Sequence, residues 1–238
     1  MMAKNKKTFF IVIAILQLVV ISFSLVIFLK VIPERKAEDE RERQVEEYYD
    51  AKLELYEEEN DLYEDYEIDV AFLGDSLTDG YDLEKYYPEF KTSNRGIGGE
   101  TTGGLLNRLK VSAYDLKPKV VVMLIGANNM DTMFNHYETI LKGFRENLPN
   151  TKVVLLSLTA MGGSHWGPKN PLALYNNVKI EAYAELYGYT YVDLFTPLFD
   201  RMKGEVKEGL TVDGGHFTDA GYQVVTDQIK PVLTALLQ

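Results

Sequence analysis

Three stretches of the chain carry residue types suited to nucleophilic catalysis. The run Ala71-Phe72-Leu73-Gly74-Asp75-Ser76-Leu77-Thr78 stops an apolar segment on a glycine, an acid and a serine, and Ser76 reads as a nucleophile. A serine on a strand-to-helix turn projects its hydroxyl outward while neighbouring backbone amides stay free to bind an anion. The spacing is not the Gly-x-Ser-x-Gly of α/β-hydrolases. Serine attacks well only when a base takes its proton, and imidazole is suited to that task. The chain holds three histidines, His136, His165 and His216. His216 ends the stretch Val212-Asp213-Gly214-Gly215-His216. An acid three residues before a histidine can fold back through a glycine turn, orient one ring nitrogen and leave the other facing the serine. The third stretch, Gly126-Ala127-Asn128-Asn129, gathers side-chain amides just after another apolar run. Taken singly, Gly-Asp-Ser and Asp-x-x-His are common in plain turns and helix caps. Their force lies in where the fold puts them.

Residues 68–73, 119–125, 153–158 and 190–194 have the length and composition of buried parallel strands, with a shorter strand around residues 90–93. Helical patterns cover residues 134–148, 172–187 and 218–237. Leu105, Leu106 and Leu109 open another helix after the glycine-rich loop Asn94-Arg95-Gly96-Ile97-Gly98-Gly99-Glu100-Thr101-Thr102. That loop matches neither the Rossmann nor the P-loop spacing. Strands alternating with helices imply a three-layer α/β/α domain on a parallel sheet, with the flavodoxin-like order 2-1-3-4-5. Such sheets bind ligands at the carboxyl ends of their strands, where each polar stretch falls. The loop of residues 159–171, with His165 and the single tryptophan Trp166, belongs to the same edge beside residues 130–137. His165 and Trp166 are therefore the candidate substrate-side residues. Trp166 would stack on a sugar ring, line an acyl channel or pack as a lid on the core. His136, and His165 if not on the substrate side, reads as an ordinary loop residue.

The chain has no cysteine, which excludes thiolate chemistry and disulfides. No histidine or carboxylate cluster has metal-ligand spacing, so neither a metal nor a cofactor is expected. With 46% hydrophobic residues the chain can bury a large core. The formal charge of −11 is concentrated in residues 34–69, which hold 17 acidic and five basic residues. The acidic balance is therefore no evidence about the catalytic surface, and a nucleic-acid partner has no basic patch to support it. Residues 8–29 are uncharged and apolar over the length a helix needs to cross a bilayer. Lys4, Lys6 and Lys7 precede them, and no small-x-small cleavage site follows. The reading is an uncleaved anchor in residues 1–33, an acidic helical stalk in residues 34–67 and a globular domain in residues 68–238. The short tail before the span favours an inside N-terminus and an extracytoplasmic domain. The doublets Tyr48-Tyr49, Leu55-Tyr56 and Leu62-Tyr63 recur every seven residues. The stripe they form would lie on the globular domain or on a second copy of the chain, or the segment is a solvated charged helix.

The four ordered stretches, across residues 68–237, resemble the SGNH or GDSL family of serine esterases and lipases. Gly74-Asp75-Ser76-Leu77 is similar to its first block, residues 94–101 to its second, Gly126-Ala127-Asn128-Asn129 to its third and Asp213-Gly214-Gly215-His216 to its last. The resemblance implies hydrolysis of an ester through an acyl-enzyme. It assigns Ser76 as nucleophile, His216 as general base and then acid, and Asp213 as the group that orients it. The backbone amides of Ser76 and Gly99 and the side-chain amide of Asn128 would form the oxyanion hole. Asn129 departs from the usual Gly-x-Asn-Asp of the third block, which bears on how that loop is supported. An envelope setting points to O-acetylated glycans, or to lipids and lysophospholipids, as the ester. Thioester hydrolysis, acyl transfer, and a binding protein without turnover are the other readings of the same fold.

Overall fold

The structure is a computed structural model and describes residues 2–238, with side chains described at residues 9, 13, 15–25 and from 27 onward. The side chains of Lys4, Lys6 and Lys7, and those at residues 8, 10–12, 14 and 26 of the expected span, lie outside that set. The chain divides into two compact units, Met1–Ala51 and Lys52–Gln238. The first begins with helix α1 (Met2–Val26), which passes through a π-helical turn (Ile27–Val31) into α2 (Ile32–Asn60). Pro33 lacks an N–H and its ring would crowd the carbonyl of Leu29, so the wider π turn just before it accommodates the misfit. The described part of this helical run is long and apolar enough to cross a membrane, and its apolar window is wholly unburied.

The second unit holds a five-stranded parallel sheet in the order β2-β1-β3-β4-β5. Its elements follow in sequence as β1 (Val70–Gly74), α3 (Ser76–Asp79), α4 (Leu83–Tyr86), β2 (Thr92–Gly96), α5 (Thr102–Asn107) and β3 (Val120–Leu124). Then come α6 (Phe134–Asn147), β4 (Lys152–Leu156), α7 (Gly163–Trp166), α8 (Asn170–Tyr187), β5 (Thr190–Val192) and α9 (Phe195–Leu198). A small antiparallel pair, β6 (Phe199–Asp200) and β7 (Glu205–Val206), precedes the closing helix α10 (Asp219–Leu237). β1 and β3 are buried at every position, which is why they read as continuous Val/Leu/Met/Phe runs without alternation. The topology is the flavodoxin-like order expected of the α/β domain.

Register decides the site. Gly74 at the end of β1 pairs with Gly96 of β2 on one side and Leu124 of β3 on the other. The three polar stretches that follow these residues therefore leave the sheet side by side.

Several boundaries differ from the sequence reading. The second strand covers Thr92–Gly96, so Asn94, Arg95 and Gly96 lie in the sheet and not in the loop. Polar residues hold a strand here because tertiary partners satisfy them. The Asn94 amide donates to the carbonyls of Thr78 at 2.7 Å and Tyr81 at 3.1 Å, and its oxygen accepts the Gly96 N–H at 2.9 Å. The last strand stops at Val192 because Asp193 turns to accept the N–H groups of Phe195 and Thr196, at 2.8 and 3.1 Å. Residues 159–171 are not an open loop, since they contain α7 and a 3-10 turn (Gly167–Lys169). Within the second unit, the last turns of α2 pack on the sheet edge. Tyr56 is buried and donates its hydroxyl to the Gly96 carbonyl at 2.6 Å, Asn60 donates to the Val111 carbonyl at 2.8 Å, and Lys52 pairs with Asp79 at 2.6 Å.

Candidate active site

Ser76 is the first residue of α3, immediately past the end of β1. Asp75 caps that short helix: its backbone is extended and its carboxylate accepts the Leu77 N–H at 3.1 Å. Asp75 is 2% exposed, and burial pushes its carboxyl up to about 6 against the opposing pull of the Leu77 amide. A carboxyl with a raised folded value contributes stability that is present below its unfolded value and fades as pH rises through about 6.

The histidine arrives from the opposite end of the sequence. Asp213 accepts the backbone N–H groups of Gly215 at 2.9 Å and His216 at 2.8 Å, closing a tight turn. Gly214 has φ +89°, and a side chain there would meet the Gly162 carbonyl oxygen at 2.1 Å, so the turn requires glycine. The two backbones are also bonded to each other, because the Gly214 carbonyl accepts the Gly162 N–H at 2.8 Å. The turn presents His216 with Nδ1 2.7 Å from Asp213 Oδ2 and Nε2 3.0 Å from Ser76 Oγ. With Nδ1–H donating to the carboxylate, Nε2 is left as the acceptor for the serine hydroxyl. The hydrogen bonds from His216, its backbone N–H foremost, hold the Asp213 carboxyl far below the usual carboxylate range. Asp213 and His216 are each close to half exposed, so water screens this pair more than a buried one.

Asn128 follows β3 in a 3-10 turn (Ala127–Asn129) and lines the same small cavity as Ser76 and His216. Its amide donates one N–H to the Glu100 carbonyl at 2.9 Å, which leaves the second N–H for a ligand. Gly99 stands beside Glu100 on the neighbouring loop, exposed and with φ +77°, and is not among the residues that line the cavity. Trp166 does line it, edge-on to the His216 ring at 6.3 Å, with Lys169 Nζ 4.1 Å from its own ring centre. His165 packs edge-on against Trp166 at 4.8 Å and faces solvent without lining the cavity. The cavity is also walled by Leu77, Ala127, Thr159 and Met161, which sequence reasoning missed. Thr159 and Met161 sat in a loop singled out only for its ring residues. The chemistry available is attack by a base-activated serine on an acyl carbon that sits against an amide donor.

Asn129 supports its loop in spite of departing from the family pattern. Its Nδ2 donates to the Thr102 hydroxyl at 3.0 Å and its Oδ1 accepts the Thr102 N–H at 3.3 Å, where α5 starts. An aspartate would still accept the N–H, and the hydroxyl can turn to donate. Asn129→Asp is therefore expected to change stability by less than about 1 kcal/mol in urea denaturation. A larger loss would mean that the Asn129 amide donor is required.

A family model described as the GDSL-like Lipase/Acylhydrolase family matches residues 72–224. Among solved structures, one from Streptococcus pneumonia, described only provisionally as a platelet activating factor, is 26% identical with a TM-score of 0.68 and covers 84% of this chain and 99% of its own. A GDSL-like lipase from Bacteroides thetaiotaomicron is 24% identical with a TM-score of 0.68, over 77% of this chain and 97% of that one. An acetylxylan esterase from Geobacillus stearothermophilus is 19% identical with a TM-score of 0.58, over 71% and 95%. The last two likenesses concern the fold. No curated protein matches the sequence.

Proposed function

The chain belongs to the GDSL-like lipase/acylhydrolase family, and from that membership and its sheet-edge geometry we propose a membrane-anchored, extracytoplasmic serine esterase that removes short acyl groups. The observation that carries the reading is the hydrogen-bonded run from Ser76 Oγ through His216 to Asp213, at 3.0 and 2.7 Å. In the first half-reaction Ser76 Oγ bonds to the acyl carbon while its proton passes to His216 Nε2. The oxyanion is received by the Ser76 amide and the free N–H of Asn128, both at the cavity, while the Gly99 amide expected as a third donor lies on the loop outside its lining. Collapse breaks the ester bond, and His216 gives the proton to the departing alcohol. Water then repeats the sequence on the acyl-serine, which regenerates Ser76 and releases the acid. No step calls for a metal or a cofactor.

The size of the cavity supports a short acyl group. It offers about 20 Å³, close to the room for one water-sized group, and Met161, Trp166 and Thr159 wall it. An acetyl methyl fits that space, and a longer chain would extend from it toward the open side of the cavity. The apolar helical run supports the anchor, and an envelope location makes O-acetylated glycans the substrate class we favour. Under this reading the full chain stays with membranes through carbonate washing, and protease added to intact cells cuts the hydrolase domain. A domain that stays protected reverses the topology.

The test is hydrolysis of p-nitrophenyl esters from acetate to palmitate by the full chain in detergent. A rate that peaks at acetate supports the assignment, and a long-chain optimum moves it to lipids. Asn128→Ala is expected to lower kcat about 10²- to 10³-fold with little change in KM, because the lost donor acts on charge that develops only in the transition state. An equal loss carried by KM alone would assign Asn128 to ground-state binding.

A further inference from the structure

We infer that Arg108 is a positioning residue for this site, setting the distance between the Ser76 nucleophile and the Asn128 amide through a buried clamp centred on its guanidinium. The inference rests on the serine-esterase reading above. Arg108 is 2% exposed, and all three guanidinium nitrogens are occupied. Nε donates to Glu100 Oε2 at 2.9 Å. Nη1 donates to the Arg95 carbonyl at 2.9 Å and the Ser112 hydroxyl at 2.8 Å, and Nη2 donates to the Gly74 carbonyl at 3.0 Å.

These partners belong to the three segments that must agree in position. Gly74 is two residues before Ser76, so its carbonyl fixes the start of the turn that aims the hydroxyl. Arg95 is the penultimate residue of β2. Glu100 is the acceptor for Asn128, through its own backbone carbonyl at 2.9 Å. Its carboxylate is pinned from two sides, with Oε2 on Arg108 and Oε1 on the Thr101 N–H at 2.8 Å. The carboxylate lies against Gly104, where a side chain would come within 1.8 Å of Oε1, so only glycine leaves room for the clamp. Arg108 does not line the cavity, and the bonds by which it would act on an acyl carbon run to Gly74 and Glu100.

A planar fork with several donors at fixed angles can hold carbonyls from separate strands in one arrangement, and an ammonium on a flexible stem cannot. Displacements well under the size of an atom matter here, because an oxyanion donor acts only when it meets the position the charge will occupy. Loss of the clamp should therefore reduce transition-state stabilisation while leaving substrate affinity near its original value.

The experiment is a double-mutant cycle in the full chain with Arg108→Lys and Asn128→Ala, reading kcat and KM for the preferred p-nitrophenyl ester on folded, detergent-solubilised protein. Arg108→Lys alone is expected to lower kcat by about 10- to 10²-fold with KM within about twofold, a fraction of the loss assigned to a whole oxyanion donor. In the Asn128→Ala background the same change is expected to cost no more than about twofold, since its target is already gone. An equal loss in both backgrounds overturns the inference and leaves the esterase reading standing, as does a lowered melting temperature with unchanged kcat. If Asn128→Ala itself costs nothing, the oxyanion assignment fails first. Should Arg108→Lys not fold, Glu100→Gln replaces it. Its amide keeps the shape but weakens the hold on the guanidinium, and the same non-additivity with Asn128→Ala is expected.

Discussion

Replacing Ser76 with alanine is expected to lower kcat for the preferred ester by a factor of about 10⁶, and replacing His216 with alanine by a similar factor. The double variant should be no slower than either single one. The reason is that the two side chains act as one unit: Ser76 Oγ and His216 Nε2 lie 3.0 Å apart, and neither the unactivated hydroxyl nor the imidazole alone forms the acyl-enzyme. What remains in all three variants is the rate supplied by the amide donors and by binding, so the losses cannot add. Both side chains are partly exposed, so alanine leaves no sealed cavity and folding should be retained. Losses that multiply in the double variant would mean that serine and histidine serve separate steps.

The second large effect is expected at Asp213. Asp213→Asn can keep the turn, since the amide oxygen still accepts the N–H groups that Asp213 Oδ1 receives from Gly215 and His216 at 2.9 and 2.8 Å. What changes is the ring. A carboxylate at 2.7 Å accepts from Nδ1, whereas an amide NH₂ can donate to it, and that places the remaining proton on Nε2, where a base is needed. A kcat loss of roughly 10⁴ is expected with KM little altered. Steady-state kinetics at neutral pH checks it, with a melting curve as the control for folding. A variant within about tenfold of the parent, well short of the loss a wrong tautomer brings, would show that Asp213 does not set the tautomer. The pH dependence has a definite sign. Because hydrogen bonds depress the folded-state value, Asp213 contributes stability that is complete above the ordinary carboxylate range and is lost progressively as pH falls from that range through the depressed value. Mild acidification should therefore not unfold the turn.

Much of this site is legible in the sequence because its parts are local. Asp213 reaches His216 within a three-residue turn, and Gly74-Asp75-Ser76 marks a strand end by its composition alone. The five strands of the parallel sheet follow from the apolar runs and their order from the alternation with helices, whereas the short β6-β7 pair is not read from the sequence. What the sequence does not expose depends on register and on tertiary partners. Gly74 lies opposite Gly96 and Leu124, a pairing that no single segment states. Asn94 and Arg95 look like loop residues until the carbonyls of Thr78, Tyr81 and Tyr56 are placed around them. Arg108 left a trace, a charged residue set into the stripe of Leu105 and Leu109, both buried, but its four acceptors come from four separate positions in the chain. In the same way the loop of residues 159–171 announced its rings, yet the cavity takes Trp166, Thr159 and Met161 as walls and leaves His165 outside.

The claim at the centre of this account is that an acyl group is carried on Ser76. The most direct measurement is labelling of the folded full chain with a serine-reactive fluorophosphonate, followed by intact-mass and peptide analysis beside the Ser76→Ala variant. The account predicts one adduct per chain on the peptide containing Ser76, loss of esterase activity in proportion to labelling, and no adduct on the variant. An actively hydrolysing protein that takes no label, or that takes it on another residue as activity is lost, would contradict it.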